Sequence, residues 1–101
     1  MSTKSYFDRL EKKFGRLSFG RLLKALRDSE GMTLAEFAKK LDISIQNLCD
    51  LEKGRRIPSP LRTARIAKKL GYPVDSLIEL SIRDSLEHDG LYFEVKLSKA
   101  S

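Results

Sequence analysis

Apolar residues recur along this chain at three- and four-residue spacing, in runs separated by short polar breaks. Phe19, Leu22, Leu23 and Leu26 form one such stripe, which predicts a helix with one buried face, capped by Ser18 and ended at Gly31. Leu34, Phe37, Ala38 and Leu41 form the next. Thr33 followed by Glu36 reads as a capping box, hydroxyl and carboxylate each satisfying a backbone N–H at the helix start. The period breaks at Asp42, whose short side chain suits turn geometry. Ser44 then caps a second short helix in which Leu48 and Leu51 face a core, while Gln46, Asn47, Asp50 and Lys53 are expected to face away. Gly54 ends it.

Ser59-Pro60 restarts the chain as a helix, because proline at the first helical position lacks only an N–H that has no partner there anyway. Leu61, Ala64, Ile66, Ala67 and Leu70 are its expected inner residues, up to Gly71. Pro73 opens a further helix, with Val74, Leu77, Ile78, Ile82 and Leu86 facing in and Asp75 favoured in its first turn by the helix dipole. Gly90 closes it. Before all of these, Tyr6, Phe7, Leu10 and Phe14 share one helical face, so a short helical arm is expected over residues 4–13. Packing on the core is its first expected role, with contact to a polymeric ligand's backbone or docking of a partner as the others. Leu91, Tyr92, Phe93, Glu94, Val95, Lys96 and Leu97 alternate with period two, the strand-like run of the chain. Pairing with the same strand of a second subunit, addition to a partner's sheet, and a tail folded on its own helices are the three readings of that run.

The stretch MTLAEFAKKLDIS, followed by IQNLCDLEKGRRIP, IAKKLG and VDSLIEL, resembles the Xre/Cro family of helix-turn-helix proteins, the phage-repressor type. The resemblance covers roughly residues 22 to 80. It implies an all-α fold: a five-helix lambda-repressor-like DNA-binding domain over residues 18–88. The arm (1–17) and a C-terminal β-strand for dimerisation (89–101) lie outside it. It further implies a homodimer on a palindromic operator, two reading helices about 34 Å apart entering successive major grooves, and repression by occluding a promoter. Arg27 and Glu52 align with an ion pair common in that family, and Ile45 with a base-contacting position. Relatives often carry Gln where Leu34 stands. Leu34 cannot bond a phosphate through its side chain, so backbone N–H contact or packing is left to it. Small relatives with an extra arm and a terminal strand look like antitoxins of type II toxin–antitoxin pairs, of the HigA or HipB kind, which would add a toxin protein as partner.

Charge supports a polyanionic partner. The net charge is +6 and the isoelectric point about 9.6. Segment 52–70 holds seven Lys/Arg against one acid, directly after the proposed reading helix. Arg55 and Arg56 lead the phosphate candidates, with Lys53, Thr33 and Ser44 beside them and Lys39 and Lys40 weaker. Gln46 and Asn47 each offer a donor and an acceptor together, the pattern that adenine N6/N7 complements. Ile45 has two readings, contact with a thymine methyl or packing on the preceding helix. Asp50 also has two: acceptor from cytosine N4, or restraint of Gln46 or Lys53.

The remaining composition argues mainly by exclusion. A chain of 101 residues is one domain by length and buries roughly two-thirds of its unfolded surface. The single Cys49 excludes an internal disulfide or multi-cysteine metal site, is expected as a half-buried filler, and suits a reducing cytoplasm. No apolar run approaches a membrane span, and no leader-like stretch opens the chain. His88 is expected at an exposed helix end. No nucleophile–base set, metal-ligand cluster or Gly-rich phosphate loop is present, so no enzyme, cofactor, metal or small-molecule substrate is expected. The rival to DNA binding is a protein-interaction module that neutralises a toxin partner on the same scaffold; Asp50 and Leu34 favour it.

Overall fold

The computed structural model describes residues 9, 11, 12 and 15–100. From residue 15 on, the described residues form five helices: α1 (Phe19–Ser29), α2 (Leu34–Leu41), α3 (Ile45–Glu52), α4 (Pro60–Leu70) and α5 (Val74–His88). Their ends are set by the expected residues. Ser18, Thr33, Ser44 and Ser59 accept from the backbone N–H groups of Arg21, Glu36, Asn47 and Arg62, and Thr33 and Glu36 complete the capping box. Asp42 takes the left-handed conformation at φ 58°, where most side chains would be strained. The polypeptide there reverses between α2 and α3 in three residues.

The helices pack around one interior. α4 lies against α5, α1 against α3 and α5, and α2 against α3 and α4. Phe19, Leu22, Leu23, Phe37, Leu48 and Leu77 are sealed at its centre. Two expected stripes are met only in part: Ile66 and Ala67 on α4 and Leu77 on α5 are buried as expected, and other positions differ. On α4, Leu61 is 63% exposed while Thr63 is sealed. Thr63 can be buried because its hydroxyl bonds the Ser59 carbonyl at 2.8 Å and Ser81 Oγ at 3.3 Å. On α5 the buried residues are Leu77, Leu80 and Ser81, with Ile78, Ile82 and Leu86 only half-buried. The Thr63–Ser81 bond fixes α4 on α5, and a search for apolar periodicity passes over such a polar contact.

Gly20 sits inside α1 and is buried. A Cβ built on it would lie 2.1 Å from the Leu51 carbonyl oxygen and 2.9 Å from that of Glu52. The backbones of α1 and α3 therefore meet with no room for a side chain. Space, rather than backbone conformation, requires glycine here.

The start of α1 is held from α5. Asp84 accepts from the Phe19 N–H at 2.6 Å, satisfying a donor that α1 itself cannot. Arg83 donates to the Leu17 carbonyl and to Glu11 Oε1, and Arg16 pairs with Glu87. Burial pushes the Asp84 carboxyl above its ordinary range, against the opposing pull of the Phe19 hydrogen bond and the Arg83 charge. Arg9, Glu11 and Lys12 have helical backbone, while the aromatic stripe of the expected arm (Tyr6, Phe7, Leu10 and Phe14) lies outside the described residues.

The expected C-terminal strand is not formed. Among the described residues there is no strand, and 91–100 runs without regular structure. Strand geometry needs a neighbouring edge to pair with, and the helices offer none. The segment returns along α5, where the Leu97 N–H donates to Glu79 Oε1 at 2.9 Å. Leu91, Tyr92, Phe93 and Leu97 stay exposed, Tyr92 at 74% and Phe93 at 61%; Val95 is half-buried.

Two outcomes follow from this packing. Helix propensity alone favours Gly20→Ala by about 1 kcal/mol. The contact with α3 reverses the sign, and the variant loses about 3 kcal/mol, read as a lowered urea midpoint at unchanged slope. For Asp84, the native state binds the proton more readily than the unfolded chain, so stability falls as pH rises from about 4 through the raised native value. Asp84→Asn keeps an acceptor for Phe19 and removes that decline, leaving the variant at least as stable as the parent at pH 7 in thermal melts.

Candidate nucleic-acid interface

The frame of the site is the contact between α1 and α3. Below the Gly20 crossing, Arg27 Nε and Nη2 donate to Glu52 Oε2 and Oε1 at 2.8 and 3.1 Å. Arg27 Nη1 also donates to the Met32 carbonyl at 3.1 Å, just ahead of α2. The side chains are 16% and 6% exposed. This bidentate pair, expected from the resemblance, thus ties three segments together. The bonds from Glu52 raise the affinity of the Arg27 guanidinium for its proton.

Held this way, α3 presents an outward row. Ile45 is 51% exposed and stands outside the core cluster. Gln46 and Lys53 are exposed, Asp50 and Cys49 half-buried. Asn47 does not share the row. It lies one helical step of about 100° past Gln46, toward α4. There it lines a cleft of about 490 Å³ with Asp42, Ile43, Pro58, Arg62 and Arg65, and its Oδ1 is buried with no hydrogen-bond partner among the described residues. Leu34 is half-buried and packs against the core, so packing is its role.

The polar residues of the row are already connected. Gln46 Nε2 donates to Asp50 Oδ1 at 3.0 Å. Arg55 Nη1 stands 3.6 Å from the same oxygen. The backbone N–H groups of Arg55 and Arg56 donate to the Asp50 carbonyl at 2.9 and 3.3 Å. The loop after α3 is therefore folded back on Asp50, which sets Arg55 beside its carboxylate. Of the two side chains that Asp50 is expected to restrain, Gln46 is the one bonded to it among the described residues.

Cations surround this row. Arg55, Arg56 and Lys53 are exposed just beyond it. Thr33 and Ser44, exposed at the two helix starts, spend their hydroxyl oxygens as caps, leaving the hydroxyl protons to donate. Lys40 is paired with Glu30 at 3.0 Å, whereas Lys39 is exposed. Arg62, Arg65 and Lys69, counted in sequence only as part of a basic segment, line the cleft beside Asn47. Among the described residues none of the three has an ion-pair partner. Their spacing of three and four on α4 placed them on one face, a signal that the charge total concealed. No helix among the described residues is long and apolar enough to cross a membrane.

A helix-turn-helix family model matches residues 23–77, spanning all of α2, α3 and α4. The chain is also similar to YazB of Bacillus subtilis (strain 168), an uncharacterised HTH-type transcriptional regulator. The two are 37% identical over 59 residues, covering 58% of this chain and 86% of that protein. No solved structure matches it. With more than half of its length matched and the helix pair built as described, the chain belongs to the helix-turn-helix family, in its Xre/Cro-like branch.

Proposed function

We propose that the protein is a sequence-specific double-stranded DNA-binding transcriptional repressor, acting as a homodimer on a palindromic operator. The observation that carries this is the exposed Ile45–Gln46–Lys53 row of α3, bordered by the exposed Arg55 and Arg56. A short helix with an amide and an apolar tip outward suits the major groove, where base edges carry a distinguishable pattern of donors, acceptors and methyl groups. The flanking arginines suit phosphates. Ile45 and Gln46 read bases in this scheme. Lys53, Arg55, Arg56 and the backbone starts at Thr33 and Ser44 hold the sugar-phosphate chains. The regulator name of the Bacillus relative supports the same reading.

A second reading is favoured by the C-terminal segment. Exposed Tyr92 and Phe93 beside Leu91 and Leu97 form an apolar surface of the kind that protein interfaces cover. A second subunit is the first occupant; a toxin protein is the other, and would make the chain an autoregulating antitoxin.

A salt-titrated gel shift on the gene's own upstream region tests the main reading. Affinity falls steeply and log-linearly with salt. Arg56→Ala weakens all duplexes alike and lowers that slope by about one, whereas Gln46→Ala costs roughly 1–3 kcal/mol on the preferred duplex only. No retardation at low salt, or the same response to both substitutions, refutes the assignment. Light scattering tests the subunit contact: the full chain runs as a dimer, and a chain ending at Gly90 runs as a monomer. A dimer that survives the truncation places the contact elsewhere.

A further inference from the structure

We infer that Asp50 is a positioning residue rather than a base reader, fixing the Gln46 amide so that α3 selects adenine over guanine at one operator position. This deepens the DNA-binding reading above and rests on it. A carboxylate only accepts, so the amide nitrogen of Gln46 must be the atom facing Asp50 Oδ1 across the 3.0 Å contact. The orientation of the amide is therefore set by chemistry. Its Oε1 faces away, and one Nε2–H is consumed.

What remains is one acceptor and one donor, side by side on the planar amide. Adenine offers the complement in the major groove, an N6–H donor next to the N7 acceptor. Guanine offers two acceptors, O6 and N7, and would leave Oε1 facing an oxygen. An unrestrained glutamine adapts by rotating its amide through half a turn. The bond to Asp50 opposes that rotation, and so turns a permissive side chain into a selective one.

The carboxylate carries a cost that the loop offsets. A bare negative charge on a face that meets phosphates repels them. Arg55 stands 3.6 Å from Asp50 Oδ1, and it is brought there by its own N–H bond to the Asp50 carbonyl at 2.9 Å. One residue thus orients the reader and anchors the loop that neutralises it.

The test begins with selection from a pool of randomised duplexes by the full-length protein, giving a preferred duplex. Fluorescence anisotropy then measures binding to that duplex, to its single-base variants and to an unrelated duplex of equal length. Gln46→Ala identifies the position at which adenine preference is lost. Asp50→Ala lowers the adenine-over-guanine ratio at that same position by roughly tenfold, while binding to the unrelated duplex rises because a negative charge is gone. Gln46→Ala combined with Asp50→Ala discriminates no worse than Gln46→Ala alone. Asp50→Asn, which removes the charge but keeps an acceptor, raises unrelated binding and preserves the preference; it also controls for folding. Two results overturn the inference while leaving DNA reading intact: Asp50→Ala shifting all four bases equally, or its altering a position that Gln46→Ala does not. Failure of the parent protein to enrich any duplex overturns both.

Discussion

The approach of α1 to α3 through Gly20 is the constraint on which the rest depends. With a Cβ barred at 2.1 Å from the Leu51 oxygen, the two helices touch through their backbones. The Arg27–Glu52 pair then fixes their rotation. α3 is eight residues long, far too short to hold itself helical in water. Its stiffness is borrowed from Leu48 and Leu51, both sealed in the core, and from that crossing. Removing one partner of a buried pair strands the other charge, so the pair is costly to break even though its net contribution when intact is small. Its value here is geometric: it decides which side of α3 reaches outward.

Much of this architecture was legible in the residues. Four serine or threonine caps, the turn at Asp42 and the proline start at Pro60 have local causes, and all lie where the sequence puts them. The inner stripes of α1, α2 and α3 were equally readable, since each is a plain apolar face. The stripes of α4 and α5 were less so. Leu61 and Ile78 fit the period, but the two helices meet through Thr63 and Ser81, and hydrophobic periodicity gives no weight to hydroxyls that find each other. Gly20 gives no signal in the apolar pattern, because the residues that need its absence of a side chain, Leu51 and Glu52, lie more than thirty positions along the chain. Asp84 at the start of α1 is hidden for the same reason.

The site was readable to a similar depth. Gln46 stands on the outward side, as spacing implied; Ile45, for which the sequence left two readings, is exposed there too, and Arg55 and Arg56 are exposed in the loop beyond. Asn47 does not, because a helix of 3.6 residues per turn moves consecutive side chains by more than a quarter of a circle, and that step turns it against α4. The terminal run shows the opposite failure. Alternation is a statement about a strand's two faces, and it holds only once something pairs with its edges. Among the described residues nothing does.

The uneven division of labour on α3 has an evolutionary consequence. Ile45, Gln46 and Lys53 are exposed and contribute nothing to the interior, while Leu48, Leu51 and Glu52 hold the helix in place. Mutations can therefore redraw the outward half without taxing stability, and drift there is free to explore new targets. Asp50 is half-buried and bridges the two, its carboxylate bonded to Gln46 and its carbonyl to the following loop. A lineage that exchanged Gln46 for another side chain would inherit a carboxylate and a folded-back loop suited to its predecessor, so the two positions are expected to change together.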